Sequence, residues 1–195
     1  NFRCSGDIAR LADAIRDADP DAAIAALGGE HVRLLPLDAA EPLMRERTVR
    51  AGTRLLQAAL AGDADAAVAA LDRHRLLCGH RTGPLGVGHW TRTVERWLSG
   101  DVEGFNATEE FHVGRPVMVS RNTGDLDLYN GDTGVIVSSG AGLTAAFPRG
   151  NGHRTLSPYV LDGLQTVHAM TIHKSQGSQF DAVTVILPAP GSPLL

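Results

Sequence analysis

Two kinds of periodicity alternate along the chain. Apolar residues recur at helical spacing at Ile8, Leu11, Ala12 and Ile15, the one-sided stripe of an amphipathic helix. Ser5 is placed to cap it and Asp7 suits its first turn. Asp19 and Pro20 open a second short helix, whose Ala22 to Leu27 run is stopped by Gly28-Gly29. His31 to Leu37 reads as a strand. A longer helix is expected from Glu41-Pro42, carrying Met44, Val49, Leu55, Leu56, Ala59 and Leu60 and stopped by Gly62. Asp63 to His74 reads as another helix. Arg75 to Arg81 reads as a strand that leads into the loop Thr82 to Gly88. Trp90, Val94, Trp97 and Leu98 then mark the buried face of a helix ending at Gly100. Helices and strands alternating over short links predict an α/β domain with a mainly parallel sheet.

Between Phe111 and about Leu164 the helical period disappears. Arg115 to Ser120, Val135 to Val137 and Leu143 to Phe147 read as short strands, separated by the turns Asn130 to Gly134 and Gly140 to Gly142. Close-spaced strands with Gly and Asn turns predict a small antiparallel barrel or sandwich. The α/β pattern resumes at about Gln165. The expected organisation is therefore an α/β domain over residues 1–106 and 165–195, with a β-barrel inserted at 107–164. The resumed part holds a strand through Val167, Ala169 and Thr171. It then runs through Ala182 to Leu187, closed by Pro188, the near-continuous apolar run expected of a strand buried on both faces.

Composition narrows the classes. An apolar fraction of 43% is enough for a real core, and the formal charge of −4 gives no global basic surface for nucleic acid. A local basic track on an acidic body remains compatible with that sum. Cys4 and Cys78 are the only cysteines, outside any C-x-x-C pair, which suits a reducing, cytoplasmic compartment. No apolar run reaches membrane-spanning length and no signal peptide opens the chain. Asn1 in place of Met suggests part of a longer protein.

The densest chemistry lies at Val167-His168-Ala169-Met170-Thr171-Ile172-His173-Lys174-Ser175-Gln176-Gly177-Ser178-Gln179-Phe180-Asp181. A cationic, amide-rich tip between two strands is more than a turn needs, and loops at strand ends are where α/β sheets bind ligands. The stretch resembles motif V of superfamily-1 DNA helicases in the form typical of the RecD-like helicases, the exonuclease V alpha subunit family. Other stretches match in family order. Asn1-Phe2-Arg3-Cys4 is similar to the core of motif IV, and Leu77 to Val87 to the segment that follows it. Gly114 to Val119 with Leu128 to Gly134 resembles the family's inserted β-barrel of the Src-homology-3 type.

That resemblance implies a RecA-like second motor domain, in a protein that couples ATP hydrolysis to 5′ to 3′ movement on single-stranded DNA in recombination and double-strand-break repair. It implies that Arg3 acts on the γ-phosphate across a domain cleft and that Gly177, Gln176 and Gln179 adjoin the nucleotide. Gln179 stands where the family usually has Glu. It implies that Thr171, His173, Lys174 and Ser175 face the DNA strand, as phosphate and sugar contacts that position without reading sequence. Arg81 and Thr82 are candidates to extend that track, and Arg121 and Asn122 are candidates on the barrel. ATP and Mg2+ are expected to be held mainly by a first motor domain. This chain shows no phosphate loop, no acidic magnesium-binding strand and no final Arg motif, so by itself it is expected to be inactive. RecB- and RecC-type subunits are the partners the resemblance suggests, with no membrane. The rival reading is a non-enzymatic interaction or DNA-binding module derived from a helicase domain.

Nearby patterns carry less. Gly83 to Gly88 has glycines but lacks the Lys-Ser/Thr of a phosphate loop. Cys78, His80 and His89 match no common zinc spacing, and no metal site is expected.

Overall fold

The computed structural model describes residues 6–150, 152–189 and 191–192, so Arg3, Cys4 and the Ser5 cap lie outside the described residues. The chain divides into two compact units, residues 1–43 and 44–195.

In the first unit, α1 (Asp7–Arg16) and α2 (Pro20–Ala26) pack together. Asp19 caps α2 by accepting from the Ala22 N–H at 3.0 Å, as its sequence signal predicts. Asp7 is buried, pairs with Arg10 and accepts from the His31 N–H at 3.1 Å. It therefore ties α1 to the turn after α2, and a Cβ at Gly29 would overlap its carboxylate. The strand expected at His31 to Leu37 is not formed: residues 31–36 are irregular and Leu37 already begins a helix. A strand needs a neighbour for its backbone groups, and Pro36 has no N–H to offer one.

The helix α3 (Leu37–Leu60) starts a turn earlier than expected, with Pro42 inside it rather than at its head. It leads into the second unit. There follow α4 (Ala64–Leu71), capped by Asp63, then β1 (Arg75–Cys78) and α5 (Val87–Asp101). Five antiparallel strands come next: β2 (Pro116–Val119), β3 (Thr133–Ser139), β4 (Gly142–Arg149), β5 (Gly152–Leu156) and β6 (Leu164–Thr166). The chain then returns through β7 (Ala169–Thr171) and β8 (Val183–Ile186).

These strands form two sheets. A parallel sheet has the order β7-β1-β8, and β2 to β6 form a separate antiparallel sheet of order β5-β4-β3-β2-β6. In the parallel sheet Leu76 sits opposite Ala169 on one side and Thr184 on the other. The antiparallel sheet is open, not the closed barrel the sequence suggests: its edge strands β5 and β6 do not pair with each other. It finds cover without closing. One face encloses Val117, Val119, Ile136, Ala145 and Phe147, and the other packs Val135, Val137 and Ala146 against α3 and α4.

The core of the parallel sheet joins Leu76 and Cys78 to the Trp90, Val94, Trp97 and Leu98 stripe of α5. Cys78 is fully buried and its thiol is pushed up to about 11 by that burial, so it is inert at neutral pH. A second junction, of Leu77, Met118, Val167 and Met170 with Phe180, lies where the two sheets meet. The double-sided burial expected for the last apolar run is not observed. Val183 and Val185 remain about 45% and 42% exposed on β8, which pairs with β1 alone.

Candidate functional site

Two loops lie at the C-terminal edge of the parallel sheet. The first follows β1, residues 79–86. The second leaves β7 at Thr171. They meet at the strand ends, where the Ile172 N–H donates to the Cys78 carbonyl at 3.1 Å. This is the edge at which open α/β sheets bind ligands.

The shape of the first loop follows from its glycines. The Val87 N–H closes onto the His80 carbonyl at 3.1 Å and the Gly86 N–H onto the Gly83 carbonyl at 3.0 Å. A Cβ on Gly86 would stand 2.4 Å from the Thr82 carbonyl oxygen, so this position admits no side chain. Gly83 has φ +83°, a conformation glycine adopts without strain. The folded loop leaves Arg81 and Thr82 exposed.

The second loop begins as one 3-10 turn, His173–Ser175. Thr171 Oγ1 accepts from the Lys174 N–H at 3.2 Å and thereby braces that turn from the residue before its N-cap. Ser175 donates its hydroxyl hydrogen to the Ile172 carbonyl at 2.8 Å. Thr171 and Ser175 thus spend hydrogen bonds on the loop itself. His173 is exposed. Lys174 is half-buried; that burial, then the positive charge of Arg81, hold its ammonium below the ordinary lysine range.

Next comes a type II turn. Gln176 has φ −58° and ψ 129°, Gly177 has φ +86°, and the Ser178 N–H closes onto the Ser175 carbonyl at 3.0 Å. Glycine is required at position 177 by this geometry, before any ligand is invoked. The closing bond uses Ser178, so the turn makes no use of the Gly177 N–H. The side chains of Gln176 and Gln179 are exposed beside it.

The remaining candidates stand apart. Asn122 Oδ1 accepts from the Asn130 N–H at 2.8 Å and braces a loop of the antiparallel sheet, while Arg121 is exposed next to it. Among the described residues no hydrogen bond or ion pair joins either of them to the loop at 171–178. Arg3 lies outside the described residues. Among the described residues no group of three His, Cys, Asp or Glu side chains could hold a metal, and no helix is long and apolar enough to cross a membrane.

Two residues that the motif reading left without a role are prominent in the structure. Arg75 is 3% exposed at the head of β1, and its guanidinium lies 5.2 Å from the ring centre of Phe180 on the loop's returning arm. The signal was present in the sequence as a charged residue abutting the apolar run Leu76-Leu77-Cys78.

No family model matches the chain. It is 49% identical, over its whole length, to the RecBCD enzyme subunit RecD of Mycolicibacterium smegmatis, of which it covers 35%. It is 44% identical over 96% of its length to the RecBCD enzyme subunit RecD of Mycobacterium tuberculosis, covering 33% of that protein. A more distant similarity, 30% identity over 62% of this chain and 17% of the relative, is to the ATP-dependent RecD2 DNA helicase of Deinococcus radiodurans. The chain spans about a third of the length of the RecD subunits it matches.

Proposed function

From the premise that the chain is RecD-like over its whole length, we propose that it is part of an ATP-dependent 5′ to 3′ DNA helicase of the RecD type. The parent protein would act on single-stranded DNA in recombination and double-strand-break repair, alongside RecB- and RecC-type subunits. Residues 1–106 and 165–195 form its RecA-like second motor domain. Residues 107–164 form the insertion, whose last strand β6 runs on to Thr166, and which we read as the Src-homology-3 type. The strand order β5-β4-β3-β2-β6 and the one-turn helix Pro158–Val160 before the last strand support that reading.

One observation carries the assignment of the site. His173 and Lys174 stand on a braced turn at the C-terminal edge of the parallel sheet, beside the β1 loop that carries Arg81. His173, Lys174, Arg81 and Thr82 take the DNA backbone. Thr171 and Ser175 shape the turn and present oxygens that still accept. Arg121 and Asn122 extend contact on the insertion.

ATP supplies the phosphoryl group whose loss drives movement, and Mg2+ neutralises its charge. The described residues fit an edge role toward that group and no more. The Gly177 N–H, unused by its turn, suits a phosphate oxygen, and Gln176 and Gln179 offer amides for hydrogen bonds beside it. Arg3 supplies positive charge to the γ-phosphate. The cradle and the metal ligands belong to the rest of the motor.

In the full-length protein, His173→Ala and Lys174→Ala are expected to weaken single-stranded DNA binding with little preference among sequences. Loss of Lys174 should also reduce the salt slope of binding by about one. Wild-type affinity at low salt in both variants would remove this loop from the DNA track.

A further inference from the structure

Arg75 poses a problem of cost. A guanidinium taken out of water wants a counter-charge; the Asp72 carboxylate partly supplies one, without forming an ion pair. Burial brings its pKa down to about 10, so it stays charged at neutral pH. Its Nε has no partner. The role of the guanidinium lies in what its fork holds.

Its partners come from separate parts of the chain. One terminal nitrogen donates to the Val167 carbonyl at 2.8 Å, just before β7. The other donates to the Leu71 carbonyl at 3.2 Å, at the C-terminus of α4, where a cation also meets the negative end of the helix dipole. The guanidinium carbon lies over the Phe180 ring, 5.2 Å from its centre, within the range of a cation–π contact. Phe180 is itself wedged among Leu77, Met118, Val167 and Met170. One residue further on, the Asp181 N–H donates to the Asp72 carbonyl at 2.8 Å.

These contacts bracket the loop. It leaves β7 at the C-terminal edge of the sheet and must re-enter β8 at the opposite edge, because both strands run parallel to β1. Arg75 sits opposite Val183, the first residue of β8. It therefore grips the strand before the loop and the arm after it. Its third partner, α4, packs Ala64, Ala67 and Leu71 against Val135, Val137 and Ala146 of the antiparallel sheet, and Asp65 pairs with His153 of β5.

We propose that Arg75 is a positioning residue: it fixes the returning arm of the 172–182 loop under β1 and ties that arm, through α4, to the antiparallel sheet. Load on the insertion is thereby transmitted to the loop that carries His173, Lys174 and Gly177. This inference deepens the motor reading and rests on it for its functional consequence.

The test uses the full-length protein with a single-stranded oligothymidylate. Arg75→Met keeps the bulk and removes the fork; Arg75→Lys keeps the charge on a single donor nitrogen; Arg73→Ala removes only an exposed ion pair to Asp181. In Arg75→Met, backbone amides of 172–182 are expected to exchange at least about tenfold faster, with those of α5 unchanged. The oligonucleotide concentration that half-saturates ATP hydrolysis should rise about tenfold or more, because small misplacements of positioning elements are costly. Arg75→Lys should fall between, and Arg73→Ala should match wild type. A general loss of stability would lower the active fraction but leave half-saturation unmoved. Wild-type loop exchange and wild-type half-saturation in folded Arg75→Met overturn the proposal. Should Arg75→Met not fold, Phe180→Leu decides: faster loop exchange supports the clamp and unchanged exchange refutes it. If wild-type protein shows no DNA-stimulated ATP hydrolysis, the motor reading fails, while loop exchange still judges Arg75.

Discussion

His168 is a titratable ring set among cations. Its Nε2 is sealed from solvent with no hydrogen-bond partner, and its ring stands 6.2 Å from that of Phe105. Burial first, then His112, Arg75 and Arg115, hold the imidazole down to about 3. His74, bonded to Thr184 Oγ1 at 3.0 Å, is held near 4 by burial first, then by Arg47, Arg75 and Arg50. The sign follows from linkage. The unfolded chain takes up these protons near the ordinary histidine value and the folded chain much lower, so stability is intact above about pH 6.5 and falls as pH drops toward 4 and 3. Each such proton contributes a slope of about 1.4 kcal/mol per pH unit. His168→Phe keeps a ring against Phe105 and removes one proton from that balance. Urea midpoints between about pH 7 and pH 4 should therefore fall less steeply in His168→Phe than in wild type. Equal slopes would mean that His168 is hydrated in the folded state.

At the scale of elements, β1 and β8 are paired yet differ in what they bury. Leu76 is 1% exposed between two strands and beneath α5, so Leu76→Ala is expected to cost about 2–5 kcal/mol. Val185 is 42% exposed on its edge strand, so Val185→Thr should lie within about 0.5 kcal/mol of wild type. Denaturant titration of both variants checks the contrast, and a Val185→Thr loss as large as the Leu76→Ala loss would show that this face is covered. The apolar run Ala182 to Leu187 could not announce its half-exposure, since periodicity records which residues can be buried and not what lies over them. The Trp90, Val94, Trp97 and Leu98 stripe was legible because its period matches a single packed face. The head of α3 lies a turn before the position Pro42 indicates, because Pro42, a residue typical of the first helical position, sits deeper in the helix. Closure of the antiparallel sheet was not legible because the same strand pattern suits an open sheet covered by α3 and α4.

For the molecule as a whole, the purified chain is expected to hydrolyse no ATP, because its residues suit only the edge of a nucleotide site. In the full-length protein, Arg3→Ala should lower turnover about a thousandfold or more, as loss of an arginine finger does, with less effect on DNA binding. Magnesium-dependent hydrolysis by the chain alone, lost on Arg3→Ala, would contradict the assignment. Residue types and their order made the loop at 171–181 legible, since a His, a Lys, hydroxyls, amides and a Gly meet there in one run. Its dependence on Arg75 was not, because that contact joins residues distant in sequence. The separation of 92 positions between Arg75 and Val167 also sets an order of assembly. β3, β4 and β5 are sequence neighbours joined by tight turns and can pair as soon as they are synthesised, whereas β1 waits for the whole antiparallel sheet to emerge before either of its partners exists. Long loop closure of this kind slows folding. β1 therefore spends synthesis as an unpaired apolar strand, and it is the segment of this chain that most needs shielding from other chains on the ribosome.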